Sequence, residues 1–516
     1  MPEGRPPPVK TGSQAGAASA DWGLSLALLA YPCRVSAEAL EHHLRDESRR
    51  GPVPRDSFSG AAGGAACGDL VRISLRTVDG AIAGARFDAE GCGPTRAGAS
   101  ATCELVEGGS ILDAARIGAG EIAAELGGLE AGSRHGAELA ADALHRALSA
   151  LAASGQDLAE STPGRVLVAM SGGVDSAVAA LREREPGAEV VAVTVKLWAD
   201  RHTDGAKACC SPEAVIGARR LAHSLDIPHL TLDLEDDFRA AVVEPFVDGY
   251  AAGRTPNPCV RCNGSVRIDA MLALAERLGA DALATGHYAR IEDDGSGPLL
   301  AAPADAAKDQ TYMLSAVSPQ TLARLRFPLA DLTKPQVREL AAGAGLPVAS
   351  KRESQDLCFL AGEGKRSFLN RHGRLRDSEG AIVDRSGRSL GHHRGHHHFT
   401  VGQRRGIGVA GAEPLYVLGT DAESNTVTVG TRGELATDRV ALGDAVLYRD
   451  SGRVDRARLR YRSRPVEARI SDDAGAGRHD SLALELAEPF AGPAPGQTAC
   501  LMEGERVVGW GTIATA

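Results

Sequence analysis

The stretch that most constrains this chain runs from Arg165 to Glu183, where the apolar run "RVLVAM" leads into "SGGVDS" and then into a helical pattern of alanines and leucine. A short strand with no polar alternation is covered on both faces, so it belongs to a parallel sheet flanked by helices. A second apolar run, "EVVAVTV", follows the helix, and "LGADALATGHYAR" repeats the helix-to-strand step further on. That order predicts an open α/β parallel sheet. The glycine turn Ala169–Ser176 then lies where a strand hands over to a helix N-terminus, and there backbone N–H groups and the helix dipole can hold a phosphate. Gly172 and Gly173 allow close approach of the backbone, while Ser171 and Ser176 add hydroxyl donors. The Gly-x-x-x-x-Gly-Lys pattern is missing, so nothing here points to γ-phosphate transfer.

One such unit does not account for 516 residues, because a single hydrophobic core usually serves about 100–200. Residues 1–23, rich in Pro, Gly, Ala and Ser, read as a disordered lead-in. Residues 24–151 read as an α+β unit: "LVRISLRTVDGAIAGARFDAEGCG" alternates around Asp79-Gly80 as an antiparallel hairpin does, and long Ala/Leu helices follow. A polar linker spans 152–164, the parallel-sheet domain 165–365 and a small central domain 366–431. Short alternating strands over 432–516 predict a C-terminal β-barrel.

The net charge of −10 excludes a uniformly basic coat, but a polyanionic partner needs only a local basic surface. No apolar run reaches the ~18–20 residues of a membrane span, and Leu24–Leu29 is too short and lacks the basic flank of a signal peptide. The expected compartment is the cytosol. There the ten cysteines serve as thiolates, ligands or core residues rather than disulfides.

The glycine turn matches the PP-loop of ATP pyrophosphatases. With "TPNPCVRCN", "ATGHYAR", "KDQTYML", "SQDLCFL" and "FTVGQRRGIG" in this order, the chain from about Arg165 to Ala516 resembles the bacterial tRNA-specific 2-thiouridylases, the MnmA family. The resemblance implies that ATP adenylates O2 of the wobble uridine and that sulfur then displaces AMP. It implies ATP contacts at Ala169, Met170, Ser171, Gly172, Gly173, Val174, Asp175, Ser176, Val195 and Gly286. It places Asn257, Pro258 and Cys259 at the target base, and His287, Lys308, Asp309, Gln310, Arg460, Tyr461 and Gln497 on tRNA, with the Lys, Glu and Gln isoacceptors as substrates.

The chemistry of the residues agrees. An amide-like oxygen leaves poorly until adenylation converts it into AMP, and the attacking sulfur must be a thiolate or persulfide in an electropositive setting. Cys262, flanked by Arg261 and Arg267, fits the family's nucleophile position, and Cys358, near Lys351 and Arg352, fits its persulfide carrier; an inert buried thiol is the plain alternative for each. Cys259 lies three residues before Cys262, where many relatives carry Asp. Cys259, Cys262 and Cys358 could therefore hold a 4Fe-4S cluster with one open iron, or the pair could be a redox dithiol, or Cys259 could be a silent substitution. Asp175 faces the phosphates, an unfavourable placing unless a cation intervenes, so Mg²⁺ is expected at this loop.

In "RVDRARLRYRSRP", Arg456, Arg458, Arg460, Arg462 and Arg464 recur every second residue. On a strand all five would share a face, suited to phosphates, or would be the charged guard of an edge strand. The histidines of Gly391–Phe399 lack the separated pairs of a zinc site, and this segment reads as an RNA-contact or surface loop. Cys209 and Cys210, being adjacent, and Cys33, Cys103 and Cys500 read as structural.

"ACGDLVRISLRTVDGAIAGARFDAEGCGPTRAGASA" resembles the IscU/NifU iron–sulfur scaffold over about Leu24–Leu151. Cys67 with Asp69, and Cys92, fall on two of its three cysteine motifs; the third keeps His135 but has Gly136 for the last cysteine. Cys67, Asp69, Cys92 and His135 could hold zinc or an iron–sulfur centre, or the unit could be a metal-free docking domain. Fusion raises the effective concentration of any sulfur it delivers, and a cysteine desulfurase is the expected donor, docking here. Two other functions stay open: an iron–sulfur carrier whose other half only binds tRNA, and a different PP-loop synthetase acting on a small molecule.

Overall fold

The computed structural model describes residues 37–64, 68–184, 188–198, 200, 211–351, 357–360, 364–373, 375 and 377–515. The expectations for residues 1–36, with Cys33, and for Cys67, Cys209, Cys210 and Arg352 lie outside the described residues.

The N-terminal unit is a three-stranded antiparallel sheet, Phe58–Gly63, Leu70–Val78 and Ala81–Glu90. Asp79 (φ 48°) and Gly80 (φ 76°) both adopt positive φ, as a two-residue hairpin turn matched to strand twist requires. Helices Gly93–Val106 and Arg134–Ala153 cover one face. The second of these runs so close to Gly60 that a Cβ there would collide with the backbone of Ala143 and Ala147.

Helix Arg134–Ala153 also packs on His229–Asp233, the edge strand of the next domain. His229 N donates to Ala115 O at 3.0 Å, and His223 Nε2 lies 3.0 Å from the same oxygen. The buried apolar cluster runs unbroken from Val71 and Leu144 to Leu167 and Leu230. The segment between the domains is pinned as well, with Leu158 N on Arg277 O at 2.8 Å and Thr162 N on Gly279 O at 3.2 Å. The two units therefore share one core.

The central sheet is five-stranded and parallel, in the order Leu325–Arg326, Ala282–Thr285, Val166–Ala169, Val190–Lys196, His229–Asp233. Its connectivity reverses between Val166–Ala169 and Ala282–Thr285, and a crevice opens at the carboxyl ends of strands at such a switch point. A four-stranded sheet, Ser389–His393, Gly380–Val383, Thr426–Gly430 and Tyr416–Asp421, forms the central domain. The C-terminal strands Ala436–Leu447, Gly477–Ala491, Val466–Ile470, Arg456–Arg458, Thr498–Glu503 and Arg506–Ile513 close into a barrel through Leu442↔Ile513. The catalytic domain's hairpin, Arg290–Asp293 and Pro298–Ala301, joins the last barrel strand at Arg506↔Ala301. Arg449 and Arg453 fasten this joint, each reaching Asp294 at 2.8 Å. The Arg449 hydrogen bond foremost, with Arg453, holds the Asp294 carboxyl well below the usual carboxylate range.

Two expectations change. The arginine row does not lie on one strand: the strand ends at Arg458, and Arg462 takes φ 64°, which breaks the alternation that would have aligned the five side chains. The histidine segment is not a surface loop, since His393, His396 and His397 are buried. Its backbone turns inward at Gly395, whose φ of 137° favours glycine.

Candidate active site

The phosphate loop is held in shape by its own hydroxyls. Ser171 N donates to Ser176 Oγ at 3.1 Å, and Ser176 Oγ donates to Gly173 O at 3.1 Å. Gly172 takes φ 68°, a conformation that costs a side-chain-bearing residue strain. Thr194 Oγ1 donates to Met170 O at 2.8 Å, tying the loop to the neighbouring strand. Val195 is the penultimate residue of that strand, which ends at Lys196. Gly286 follows the strand on the other side of the switch point, and a Cβ there would stand 2.8 Å from Asp175 C and Ser176 N. Only glycine lets the two loops meet this closely.

Asp175 opens the helix Val174–Glu183, and the carboxylate already faces a cation. Lys334 Nζ lies 2.7 and 2.8 Å from its two oxygens, and Tyr288 OH donates to Oδ1 at 2.8 Å. A second lysine, Lys351, reaches Gly172 O at 2.9 Å. Sequence position had put Lys351 beside Cys358; the fold sends its ammonium to the phosphate loop. Neither Lys334 nor Tyr288 was foreseen as a site residue. Tyr288 sits inside "ATGHYAR" and could have been noticed, whereas Lys334 carries no local signal.

Cys259 and Cys262 share the short helix Pro258–Cys262, capped by Asn257, whose Oδ1 accepts from Cys259 N at 3.1 Å and Val260 N at 3.3 Å. Such a cap stabilises a helix start by about 1 kcal/mol. A π turn, Asn263–Arg267, follows Cys262 directly, a distortion that π-bulges often supply at functional sites. Burial, reinforced by Cys262, pushes the Cys259 thiol up to about 11, while Arg267 opposes that shift. Cys262 is buried and Cys358 half-buried. Phe359, next to Cys358, packs on Phe238 and Phe246 at ring distances of 6.0 and 5.2 Å. The cysteine helix packs on the turn Arg239–Val243, so both thiol segments are braced by the same helical stretch.

The residues expected at tRNA divide into two groups. His287 is hydrogen-bonded to Thr285 Oγ1 at 2.8 Å and lies 3.2 Å from Arg267. Burial, with Arg267, lowers it to about 3, so it is a neutral wall residue at physiological pH. Asp309 receives Arg458 of the barrel at 2.8 Å, and Gln310 Oε1 accepts from Tyr288 N at 2.9 Å. Gln497 Nε2 donates to Thr255 O at 2.7 Å. These four fasten domains and loops together. Lys308 and Tyr461 are half-buried like these four, whereas Arg460 is exposed, donating to Gly492 O at 2.9 Å, and Arg404, Arg405, Arg462 and Arg464 are exposed too.

A second site lies in the N-terminal unit. Cys92 Sγ is 3.3 Å from Asp69 Oδ2 and 3.2 Å from His135 Nε2, and His135 Nε2 is 3.2 Å from Asp69 Oδ2. All three ligand atoms lie within 4.8 Å of one another, so the donors fit one ion. Thr95 Oγ1 donates to Asp69 at 2.6 Å and is the foremost cause holding that carboxyl below its ordinary value. His135 Nδ1 is 3.0 Å from Gly132 O; a carbonyl at one ring nitrogen leaves the other for a metal. Gly136 now has a reason. A Cβ there would stand 2.6 Å from Pro94 C and O, so the helix pair packs through the place a third cysteine would need.

Fold and sites define an ATP pyrophosphatase-type loop domain joined to an iron–sulfur-scaffold-like domain. Family models match in the same order: a NifU-like N terminal domain over residues 36–156, a tRNA methyl transferase HUP domain over 164–362, a tRNA methyl transferase PRC-barrel domain over 366–431 and an aminomethyltransferase beta-barrel domain over 446–513. The chain is 45% identical over 497 residues to the bifunctional protein NifU/MnmA of Rubrobacter xylanophilus, covering 94% of this chain and 99% of that one. It is 44% identical to the tRNA-specific 2-thiouridylase MnmA of Sorangium cellulosum, covering 69% of this chain and 94% of that one. It is 41% identical to the enzyme of that name from Geobacter metallireducens, covering 70% and 99%. The chain belongs to the bifunctional NifU/MnmA family.

Proposed function

We propose that this protein is a tRNA-specific 2-thiouridylase. The uridine O2 attacks the α-phosphate of ATP and releases pyrophosphate, after which a sulfur nucleophile at C2 displaces AMP. The observation that carries this reading is the 45% identity across both halves, with the loop Ala169–Ser176 intact at the switch point. The test is mass spectrometry of tRNA nucleosides after incubation with ATP and a sulfur source; absence of 2-thiouridine would favour the iron–sulfur carrier reading instead.

Ala169–Ser176, Val195 and Gly286 would hold ATP, with Mg²⁺ at this loop neutralising phosphate charge. Asp175 would meet that ion once Lys334 turns toward the phosphates. Asn257, Pro258 and Cys259 would form the floor under the target base. The exposed arginines Arg404, Arg405, Arg460, Arg462 and Arg464 supply the local positive surface that the net charge leaves room for, and the Lys, Glu and Gln tRNAs are the proposed substrates.

For sulfur, Cys358 would carry a persulfide whose terminal sulfur attacks C2. Cys262 would then attack the inner sulfur, releasing 2-thiouridine and leaving a disulfide that a thiol reductant reopens. A second reading rests on Cys259: Cys259, Cys262 and Cys358 would hold a 4Fe-4S cluster whose fourth iron offers a place for sulfide. The high Cys259 value means ligation there must release a proton. Among the described residues these sulfurs do not converge within 4.8 Å as single-ion ligands do. In the N-terminal unit, Asp69, Cys92 and His135, with Cys67, would hold zinc or an iron–sulfur centre, and a cysteine desulfurase would dock there. No helix among the described residues is long and apolar enough to cross a membrane, which supports a place in the cytoplasm.

A further inference from the structure

The histidine segment folds into the central domain and brings His397 and His398 to Asp377, with one ligand atom from each lying within 4.8 Å of the others. His398 Nε2 is 3.0 Å from Asp377 Oδ1, close to the ~3.3 Å edge of a tetrahedral site with ~2.0 Å bonds. His397 is 3% exposed. Among the described residues, nothing hydrogen-bonds to His397 Nε2 or His398 Nδ1, and both atoms are buried. Buried ring nitrogens are rarely left without partners; an ion at His397 Nε2 would supply one there, while His398 would ligate through the Nε2 that faces Asp377.

Three further features mark a built site. Arg366 Nη2 donates to Asp377 Oδ2 at 3.0 Å and Asn370 Nδ2 to Oδ1 at 3.2 Å, so two residues on one face of helix Lys365–His372 orient the carboxylate, as supporting groups do at metal sites. At Gly395, a Cβ would stand 2.8 Å from His397 Nδ1, so the glycine makes room for that ring. A cleft of about 530 Å³ lined by Asp377, Glu379, His392, His393 and Arg394 opens beside the carboxylate, giving an ion a way in.

We propose that Asp377, His397 and His398 bind a divalent transition-metal ion of the zinc type, with a fourth position open to the cleft. Two imidazoles and one carboxylate suit zinc in preference to the softer all-sulfur set. The bound ion ties the histidine turn to Asp377, which Arg366 and Asn370 of helix Lys365–His372 already hold.

The test uses full-length protein carrying Asp69→Asn, Cys92→Ser and His135→Ala, which removes the three N-terminal donors that converge on one another. After EDTA treatment and dialysis, Zn²⁺ alone is titrated and counted by mass spectrometry, and Co²⁺ alone is followed by absorbance. The expected result is one ion per chain, visible d–d bands without thiolate charge transfer, and a higher Tm with Zn²⁺. His397→Phe and His398→Tyr, which keep a ring in each place, should each weaken Zn²⁺ binding at least about tenfold and abolish the Tm shift, with unchanged circular dichroism showing that the fold is retained. If a variant does not fold, Asp377→Asn in the same background gives the same readout. Zn²⁺ binding unchanged by these substitutions, no binding by the parent, or a Co²⁺ spectrum dominated by thiolate charge transfer would overturn the proposal.

Discussion

The N-terminal and catalytic sites both rest on cysteines, yet they are built in opposite ways. In the first, Asp69, Cys92 and His135 point at one another across 3.2–3.3 Å, the convergence that holding an ion demands. In the second, Cys259 is kept protonated by burial, Cys262 lies on a helix that ends in a π turn, and Cys358 arrives from a separate segment. Holding a metal rewards donors already gathered, because gathering them costs conformational entropy. Moving a sulfur atom instead needs a second thiolate that can attack the persulfide in its turn.

The largest effect that tests this comparison comes from Cys262→Ala. Thiolation of tRNA should fall by at least about 10³-fold with tRNA affinity kept, read by nucleoside mass spectrometry and a binding titration. Retained activity would remove Cys262 from the transfer step. Cys259→Ala separates the two sulfur routes: with desulfurase and ATP the persulfide route predicts activity within a few-fold of wild type, whereas loss of both thiolation and a reconstituted iron chromophore points to the cluster.

Next is Asp175→Asn, expected to cost about 10²-fold or more in adenylation, measured as pyrophosphate release, and to leave tRNA binding in place. Lys334→Met should lower the same step, because each residue neutralises the other before ATP arrives. Full adenylation with EDTA present would argue against Mg²⁺ at this loop.

Cys92→Ala should slow desulfurase-dependent thiolation by about tenfold while leaving sulfide-driven thiolation unchanged; equal rates with catalytic desulfurase would detach the N-terminal site from sulfur delivery. A point variant serves better here than removing residues 1–160, because the two domains share a buried core and truncation would expose it. Gly136→Cys, which restores the scaffold's third cysteine, should destabilise by about 1–3 kcal/mol through overpacking against Pro94, read as a lower denaturant midpoint.

The smallest effect concerns pH. His145 and His229 are buried at the domain junction and their values are lowered, chiefly by desolvation, as is that of His287. The unfolded chain therefore takes up more protons than the folded one below about 6.5, the ordinary histidine value. Stability contributed by these groups is present in full above that pH and is lost progressively as pH falls below it. Equilibrium unfolding at pH 7.5 and 5.5 should show lower stability at 5.5, and His145→Gln should reduce the difference.

The sequence determined the parts set by local order. Strand, glycine turn and helix had to make a phosphate loop because apolar runs and glycines act over a few residues. Asp79-Gly80 had to make a tight hairpin for the same reason. Asp69, Cys92 and His135 could be picked out with Cys67 because the motifs that carry them are short, and the fold brings the donor atoms of these three together. The tertiary structure alone decided contacts between distant segments: Lys334 on Asp175, Lys351 on Gly172, and Asp309 on Arg458. It also overruled local pattern where packing was stronger. The arginine alternation fails at Arg462, whose positive φ turns the chain, and His396 and His397, which read as surface, are buried after the turn at Gly395. Periodicity describes one element at a time, whereas burial and side-chain pairing depend on which other elements arrive beside it.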